Sequence, residues 1–221
     1  MLIPKMYKTL LSLSNNEINL YNTSTLTLTV KLIDFNGNPV VGETVIAFLT
    51  QQEGNSQYKL CERRTNSNGI VTCTIDCTAL DVKYGLHTVS VNDTTIHFNT
   101  YFDSGWLQPT LNSGFSNSDA NNVLKYRKIN NFVNLRGSVK FGNAVSAGGS
   151  VYIGTIPLEY APSGTKGAGI TDTKQQAAAN MFYIDVGRSA GNIRLRGFAN
   201  SSTVSIAANT VLYFELTYMS D

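Results

Sequence analysis

The sequence predicts an all-β protein of two domains, and three observations support this fold class. Val, Ile, Thr, Tyr and Phe dominate short runs, which turn residues separate at intervals of about ten. Helical periodicity is nearly absent, and the best candidate, residues 174–180, is too short to be stable alone. Near residues 100–105 the composition changes, because all three Cys and both His precede this point and the only Trp follows it. We therefore predict domains at residues 1–100 and 101–221.

The composition limits the classes of function. Charged residues make up 14% of the 221 residues, against about 25% in typical soluble domains. Asn, Thr and Ser number 23, 23 and 19, a surface more typical of extracellular or virion proteins than of metabolic enzymes. A net charge of +2 is too small for a nucleic-acid-binding footprint. The sequence has no apolar stretch of 18 residues and no typical signal peptide, so we expect no membrane insertion.

The first domain is predicted to be an Ig-like β-sandwich. In residues 24–33, Leu and Val alternate with Thr and Lys, which is the pattern of a strand with one buried face. Asn-Gly turns follow at residues 34–39 and 66–69. Further strands are predicted, among them residues 45–49, 70–75, 86–91 and 95–99. Seven or so short strands in about 90 residues are typical of Ig-like sandwiches.

Three segments of this domain carry a family resemblance. They are LTVKLIDFNGNPVVGETVIAFLT (residues 28–50), TNSNGIVTCTID (residues 65–76) and YGLHTVSVN (residues 84–92). Together they resemble bacterial and archaeal Ig-like modules of cell-surface adhesins and phage tail proteins. Those modules are mostly spacers, so the resemblance implies an architecture and not an activity.

The second domain is also predicted to be all-β. Strands are expected at residues 124–128, 132–140, 151–156, 181–186, 193–198 and 211–218, with a hairpin turn at Asn130 and Asn131. In the last strand, Leu212, Phe214, Leu216 and Tyr218 share one face, and the other face also contains large apolar residues. A strand that is apolar on both faces needs a cover on both. A partner subunit or an inner position in a two-sheet roll would each provide it.

An ordered set of segments in the second domain carries another resemblance. The segments are WLQPTLNSGF (residues 106–115), KYRKINNFVNLRGSVK (residues 125–140), IGTIPLEYAPSGTK (residues 153–166), NIRLRGF (residues 192–198) and TVLYFELTYMSD (residues 210–221). In this order they resemble the C-terminal head of receptor-binding and baseplate proteins of siphophage-type tails. The resemblance implies a β-barrel or jelly-roll-like head, assembled as a homotrimer. It also implies binding to a host cell-surface saccharide or envelope polymer, and other virion tail proteins as partners.

A hairpin near residues 183–196 provides the first candidate ligand-binding residues. If it turns at residues 189–190, Asp185 lies opposite Arg194 and Tyr183 lies opposite Arg196, all on the face away from the core. An aromatic ring beside a carboxylate and two guanidinium groups can stack on a sugar and bind its hydroxyls. The same four residues can instead form a cross-strand salt-bridge ladder or a subunit interface.

Four further candidates come from single positions. Trp106 is the only Trp and suits stacking on a sugar, although its place beside the domain junction also suits packing. Tyr160, Asp172 and Arg188 lie in predicted loops, where binding residues concentrate. These residues complete the predicted ligand-binding set.

Catalytic and metal chemistry find little support in the sequence. His-Glu-x-x-His and Walker sequences are absent, and the acidic residues show no spacing typical of a glycosidase pair. Cys73, Cys77, His87 and His97 lack the close pairs of zinc sites. We expect no enzyme activity, no cofactor and no metal. Cys61 and Cys73 flank a predicted turn, so a disulfide between them in an oxidising setting stays open.

Three functional hypotheses follow. The leading one is a viral, phage-like tail or fibre protein that attaches to host saccharide or envelope polymer through a trimeric head, located in the virion tail or outside cells. The alternative is a non-catalytic structural or adhesin-like surface protein that binds protein neighbours. An envelope-degrading enzyme is the third hypothesis, and the missing catalytic spacing argues against it.

Overall fold

The chain divides into two compact units, Met1–Phe102 and Asp103–Asp221. The sequence prediction placed this division between residues 100 and 101. The computed structural model describes residues 7–51, 56–146, 151–162, 167–172, 182–197 and 205–220. The helix candidate at residues 174–180 lies outside the described residues.

The first unit is a sandwich of two β-sheets. Its strands are β1 (Lys8–Leu13), β2 (Glu17–Asn19), β3 (Thr25–Ile33), β4 (Thr44–Gln51), β5 (Gln57–Arg64), β6 (Ile70–Asp76), β7 (Gly85–Val91) and β8 (Thr94–Tyr101). One sheet has the order β1-β3-β6 and the other the order β2-β8-β7-β4-β5. Strands β1, β3 and β6 correspond to A, B and E of an Ig domain, and β4, β7 and β8 correspond to C, F and G. The sandwich therefore has Ig-like topology.

The core of the sandwich follows from strict alternation along its strands. In β3, Leu26, Leu28, Val30 and Leu32 are buried and pack with apolar residues of the opposite sheet, among them Val45, Leu49, Val89 and Phe98. A disulfide joins Cys61 on β5 to Cys73 on β6, with 6.1 Å between their Cα atoms. Because β5 and β6 belong to different sheets, this disulfide links the two layers covalently.

The predicted Asn-Gly turn after β3 is fixed by the Asp34 side chain. Asp34 Oδ1 accepts hydrogen bonds from the backbone N–H groups of Asn36 at 2.9 Å and Asn38 at 2.8 Å. These bonds, led by the one from Asn38, lower the pKa of Asp34. Gly37 has a φ of +85°, a conformation that glycine adopts without a steric penalty. The turn chemistry thus sets where β3 ends.

The second unit, called the head below, is dominated by one long sheet. Its elements are β9 (Thr110–Leu111), β10 (Phe115–Asn117), β11 (Lys125–Ile129), β12 (Phe132–Phe141), β13 (Val145–Ser146), β14 (Val151–Thr155), a 3₁₀ helix (Leu158–Tyr160), β15 (Gly167–Asp172), β16 (Phe182–Val186), β17 (Asn192–Gly197), β18 (Ser205–Ile206) and β19 (Val211–Met219). The sheet has the order β10-β12-β19-β15-β16-β17-β14-β9, and β11 also pairs with β12. The all-β prediction is confirmed, whereas the barrel or jelly-roll form and the homotrimer stay predictions.

The last strand, β19, is an inner strand of this sheet with one open face. Leu212, Phe214, Leu216 and Tyr218 are buried on the core side, as the alternation predicts. On the other face, Glu215, Thr217 and Met219 are exposed. Val211 and Tyr213 on that face are half-buried, so the described part of the chain leaves open only the stretch from Glu215 to Met219.

Candidate binding groove on the head

The open face of β19 continues across two neighbouring strands. Antiparallel pairing brings β11, β12 and β19 side by side, and directly paired residues project from the same face. This aligns one row of apolar side chains and two rows of polar and charged ones. The rows are Ile129, Phe132 and Met219, then Arg127, Asn134 and Thr217, then Lys125, Arg136 and Glu215.

Trp106 lies among the cations of this face. Its ring centroid is 4.2 Å from Arg136 Cζ, 5.2 Å from Lys125 Nζ and 5.9 Å from Arg127 Cζ. Contacts within about 6 Å are attractive because the π face of the ring is electron-rich. The side chain is still 37% exposed, so Trp106 remains accessible from solution.

Backbone pairing holds the segment that carries Trp106. Before it, Ser104 N donates to Lys128 O at 3.0 Å, and Lys128 N donates to Ser104 Oγ at 3.0 Å. After it, Leu107 and Tyr126 exchange two backbone hydrogen bonds of 2.8 Å. Trp106 is thus fixed alongside β11 by contacts on both sides.

Asp103 and Arg127 add an ion pair at the start of the same segment. Arg127 Nε donates to Asp103 Oδ1 at 2.7 Å, and Arg127 Nη2 donates to Asp103 Oδ2. The hydrogen bond from Arg127 is the main reason why the pKa of Asp103 is lowered. The same pairing raises the pKa of Arg127. Asp103 therefore neutralises one of the three cations around Trp106.

Asn134 lies at the centre of the open face, and only the nitrogen of its side-chain amide forms hydrogen bonds with described residues. Its Nδ2 donates to Thr217 Oγ1 at 3.0 Å and to Glu215 Oε1 at 3.2 Å. Its Oδ1 is buried and accepts no hydrogen bond from the described residues. A buried acceptor without a donor costs stability.

These residues line a groove of about 340 Å³, called the Trp106 groove below. This volume lies within the range of small-ligand sites, about 300–1,000 Å³. A second concavity of about 530 Å³ adjoins it and shares Arg136 and Glu215. The wall of the Trp106 groove combines apolar with charged and amide side chains: Trp106, Ile129, Phe132, Arg127, Asn134, Arg136, Glu215 and Thr217.

The predicted hairpin forms, but it does not present its charges to solvent. Asp185 pairs with Arg194 and Tyr183 with Arg196 in the expected register. However, Asp185 is completely buried, and Arg194 Nε donates to its Oδ1 at 2.5 Å. The expected accessible position of Asp185 is therefore wrong, because both faces of β16 are covered here. The side chains of Tyr183 and Arg196 lie outside the described residues.

The remaining predicted site residues are scattered. Tyr160 is buried in the 3₁₀ helix against Tyr126, with ring centroids 5.0 Å apart, so its expected place in an accessible loop is wrong. Arg188 is exposed in the turn after β16 and lines a pocket of about 210 Å³ with Lys128. Asp172 ends β15, where its backbone pairs with Tyr213, and its side chain is not among those described. Of the predicted site residues whose side chains the structure describes, Trp106 alone lines the groove.

Sequence reasoning missed most of the groove. Asn134 and Arg136 were read only as parts of strands, and Glu215 only as a strand residue and as one of the acidic residues without catalytic spacing. A usable signal is present in β12, where Phe132, Asn134 and Arg136 alternate with buried apolar residues and so share an open face. That β19 pairs with this strand is not visible in the sequence pattern.

Metal-binding clusters and membrane-spanning helices are both absent from the described ranges. Those residues contain no cluster of three or more His, Cys, Asp or Glu suited to a metal ion. The buried His87 uses Nε2 for hydrogen bonding, at 2.9 Å from both Lys83 O and Thr100 Oγ1. The described residues also include no helix that is long and apolar enough to cross a membrane.

No protein-family model matches this chain, and no curated protein does. Solved structures give weak similarities. The C-terminal 282-residue fragment of intimin, solved with the intimin-binding domain of the translocated intimin receptor, is 13% identical. It aligns over 94% of this chain and 98% of that chain, with a TM-score of 0.33. Yersinia pseudotuberculosis adhesin InvE is 15% identical over 95% of this chain, with a TM-score of 0.32.

The chain spans 58% of the InvE structure. A third structure, of S. aureus TarS, is 9% identical over 88% of this chain and 56% of that chain, with a TM-score of 0.23. TM-scores this low establish no shared fold, and no function is transferred from these proteins. The resemblance to siphophage tail heads also stays a prediction.

Proposed function

We propose that this protein is a non-catalytic, adhesin-like surface protein that binds its partner through the Trp106 groove. One observation carries the proposal: Trp106 and Arg136 lie 4.2 Å apart on an open sheet face and remain reachable from solution. Trp and Arg are the residues most enriched at the energetic centres of binding surfaces. The Ig-like sandwich acts as the spacer that presents the head.

The sandwich supports a location outside the cell. Its two sheets are joined by the Cys61–Cys73 disulfide, and such bonds persist mainly in oxidising compartments. The low content of charged residues agrees with such a location. The partner is then a molecule exposed on a cell or particle surface.

Binding of the full chain to intact cells tests the proposal. Fluorescently labelled protein is titrated onto a panel of Gram-positive and Gram-negative cells, and bound protein is measured by flow cytometry. We expect saturable binding to at least one cell type, weakened more than tenfold by Trp106→Ala. Tyr152→Ala is the matched control, because Tyr152 is an exposed aromatic residue of the head outside the groove. Binding to no cell type, or equal binding by both variants, would contradict the proposal.

A second candidate is the viral tail protein, favoured by the open face of β19. In a homotrimer a neighbouring copy would cover part of this face, and other virion tail proteins would hold the trimer in the tail. Three linked sites for a host saccharide or envelope polymer would raise avidity by about 10²–10⁴. Light scattering on the full chain at micromolar concentration tests this candidate. A trimer supports it, whereas a monodisperse monomer contradicts it and leaves the adhesin-like function standing.

A further inference from the structure

We infer that the ligand of the Trp106 groove is a carboxylated saccharide, an assignment that rests on the function proposed above. Three independent features of the groove define the ligand. They are the Arg136 guanidinium, which has no carboxylate within 4.0 Å in the described part of the chain, the acceptor Glu215 and an exposed apolar strip. A sugar that carries a carboxylate satisfies all three.

The positive charge comes from Arg136, which lines the groove, and from Lys125, which lines the adjoining concavity. Within the described part of the chain neither has a carboxylate within 4.0 Å, whereas Arg127 is paired with Asp103. Arg136 lies over the Trp106 ring, and an arginine held against an aromatic face still offers the N–H groups at its edge. Those N–H groups match the two oxygens of a carboxylate. Lys125 Nζ lies 5.2 Å from the centroid of the same ring and adds a second cation in the adjoining concavity.

A hydrogen-bond acceptor lies beside these cations. Glu215 lines the groove directly opposite Arg136 in the strand pairing, and a carboxylate only accepts hydrogen bonds. The ligand must therefore donate hydrogen bonds next to its own negative charge. Sugar hydroxyls do this, whereas the ionised side chain of an acidic peptide only accepts.

The apolar strip lies at the other end of the groove. Phe132 and Ile129 are 55% and 45% exposed, although they are large hydrophobic residues. The C–H face of a pyranose ring packs on such a surface while its hydroxyls point outward. The cation and the acceptor thus lie at one end of the groove and the apolar surface lies at the other. The carboxylate, hydroxyls and C–H face of an acidic sugar match these three features.

Equilibrium binding of the full chain to defined polymers tests the assignment. The probes are polygalacturonate, alginate and polysialic acid, each compared with its own carboxyl-reduced form, and poly-L-glutamate. We expect at least one carboxylated polysaccharide to bind, with affinity at least tenfold lower after carboxyl reduction. Arg136→Met should lower the affinity at least tenfold. Lys140→Met is the matched control, since Lys140 is a cation of the same strand that lines neither concavity.

Different binding results would contradict different parts of the assignment. Equal binding to native and carboxyl-reduced polymer would overturn the role of the anion. Tighter binding to poly-L-glutamate would assign the groove to an acidic peptide instead. If no polysaccharide binds but cell binding still depends on Trp106, the saccharide assignment fails and the proposed function survives. If cell binding is also absent, both fail. Circular dichroism of Arg136→Met checks that the variant is folded.

Discussion

Asp185 and Arg194 form an ion pair inside the head. They lie opposite each other on β16 and β17, and Arg194 Nε donates to Asp185 Oδ1 at 2.5 Å. The carboxylate is fully buried, and 15% of the arginine side chain is exposed. Removing two charges from water costs several kcal/mol for each ion, so each partner depends on the other for compensation.

Replacing only the arginine should therefore destabilise the head. For Arg194→Met we expect the free energy of unfolding to fall by about 3–5 kcal/mol, because a buried carboxylate loses its counter-ion. The double variant Asp185→Leu with Arg194→Met should recover most of this loss. Urea unfolding followed by Trp106 emission measures the head alone, since Trp106 is the only Trp. A single variant as stable as the wild type would show that the pair does not bear on folding.

This hairpin shows what the sequence could and could not predict. Alternation and a Gly-bounded turn were enough to place Asp185 opposite Arg194, because both are local properties. Burial of Asp185 was not predictable, since it depends on which distant segments cover the second face of the sheet. The Trp106 groove escaped prediction for the same reason. Asn134 bonds Thr217 across 83 positions of the sequence, and no local pattern records that pairing.

Loss of the intersheet disulfide should weaken the sandwich. Cys61 and Cys73 are 12 positions apart in the sequence. In the chain-entropy model, a disulfide that closes a loop of this length stabilises the folded protein by about 3 kcal/mol, because it restricts the unfolded chain. We expect Cys61→Ala with Cys73→Ala to unfold at a lower temperature in calorimetry, while the Trp106-monitored transition of the head stays unchanged. A shift of the head transition, or no shift of the sandwich, would contradict this.

Thiol counting checks the same bond independently. Cys77 is buried, and burial raises the pKa of its thiol to about 11. Iodoacetamide at pH 8 should therefore label no thiol in the folded protein, because the reactive thiolate is both scarce and shielded. After unfolding without a reductant, one thiol should react. Three reactive thiols would show that Cys61 and Cys73 are not joined.

Acid should destabilise the sandwich through His87. Burial lowers the pKa of His87 below its ordinary value of 6.5, so the unfolded chain binds a proton more readily than the folded chain does. Stability should thus be fully present above pH 6.5 and fall as the pH drops from 6.5 to the lowered pKa. The carboxyl of Asp34, whose pKa is below 3.8, contributes only at lower pH.

The variant His87→Gln should remove this dependence between pH 6.5 and 5. It keeps a donor for Lys83 O but has no group that gains a proton. The matched control is His97→Gln, because His97 is exposed on the neighbouring strand. Calorimetry of the sandwich transition at several pH values measures the effect. If His97→Gln flattened the profile and His87→Gln did not, the buried histidine would not be the cause.

A single methyl group added at Gly137 should destabilise the head. It lies in β12 with a φ of +131°, and a Cβ here would lie 2.4 Å from Val123 O and 2.8 Å from Leu124 Cα. Both neighbours are backbone atoms that cannot rotate away, so Gly137→Ala combines a clash with backbone strain. We expect a loss of about 2–3 kcal/mol, typical of strained or overpacked sites. Gly114→Ala is the control, since its φ of +89° brings strain but its nearest neighbour is Asn143 Nδ2 at 3.8 Å. Urea unfolding followed by Trp106 emission measures both variants. Equal unfolding midpoints would show that the contact between the added methyl group and Val123 O does not lower the stability of the head.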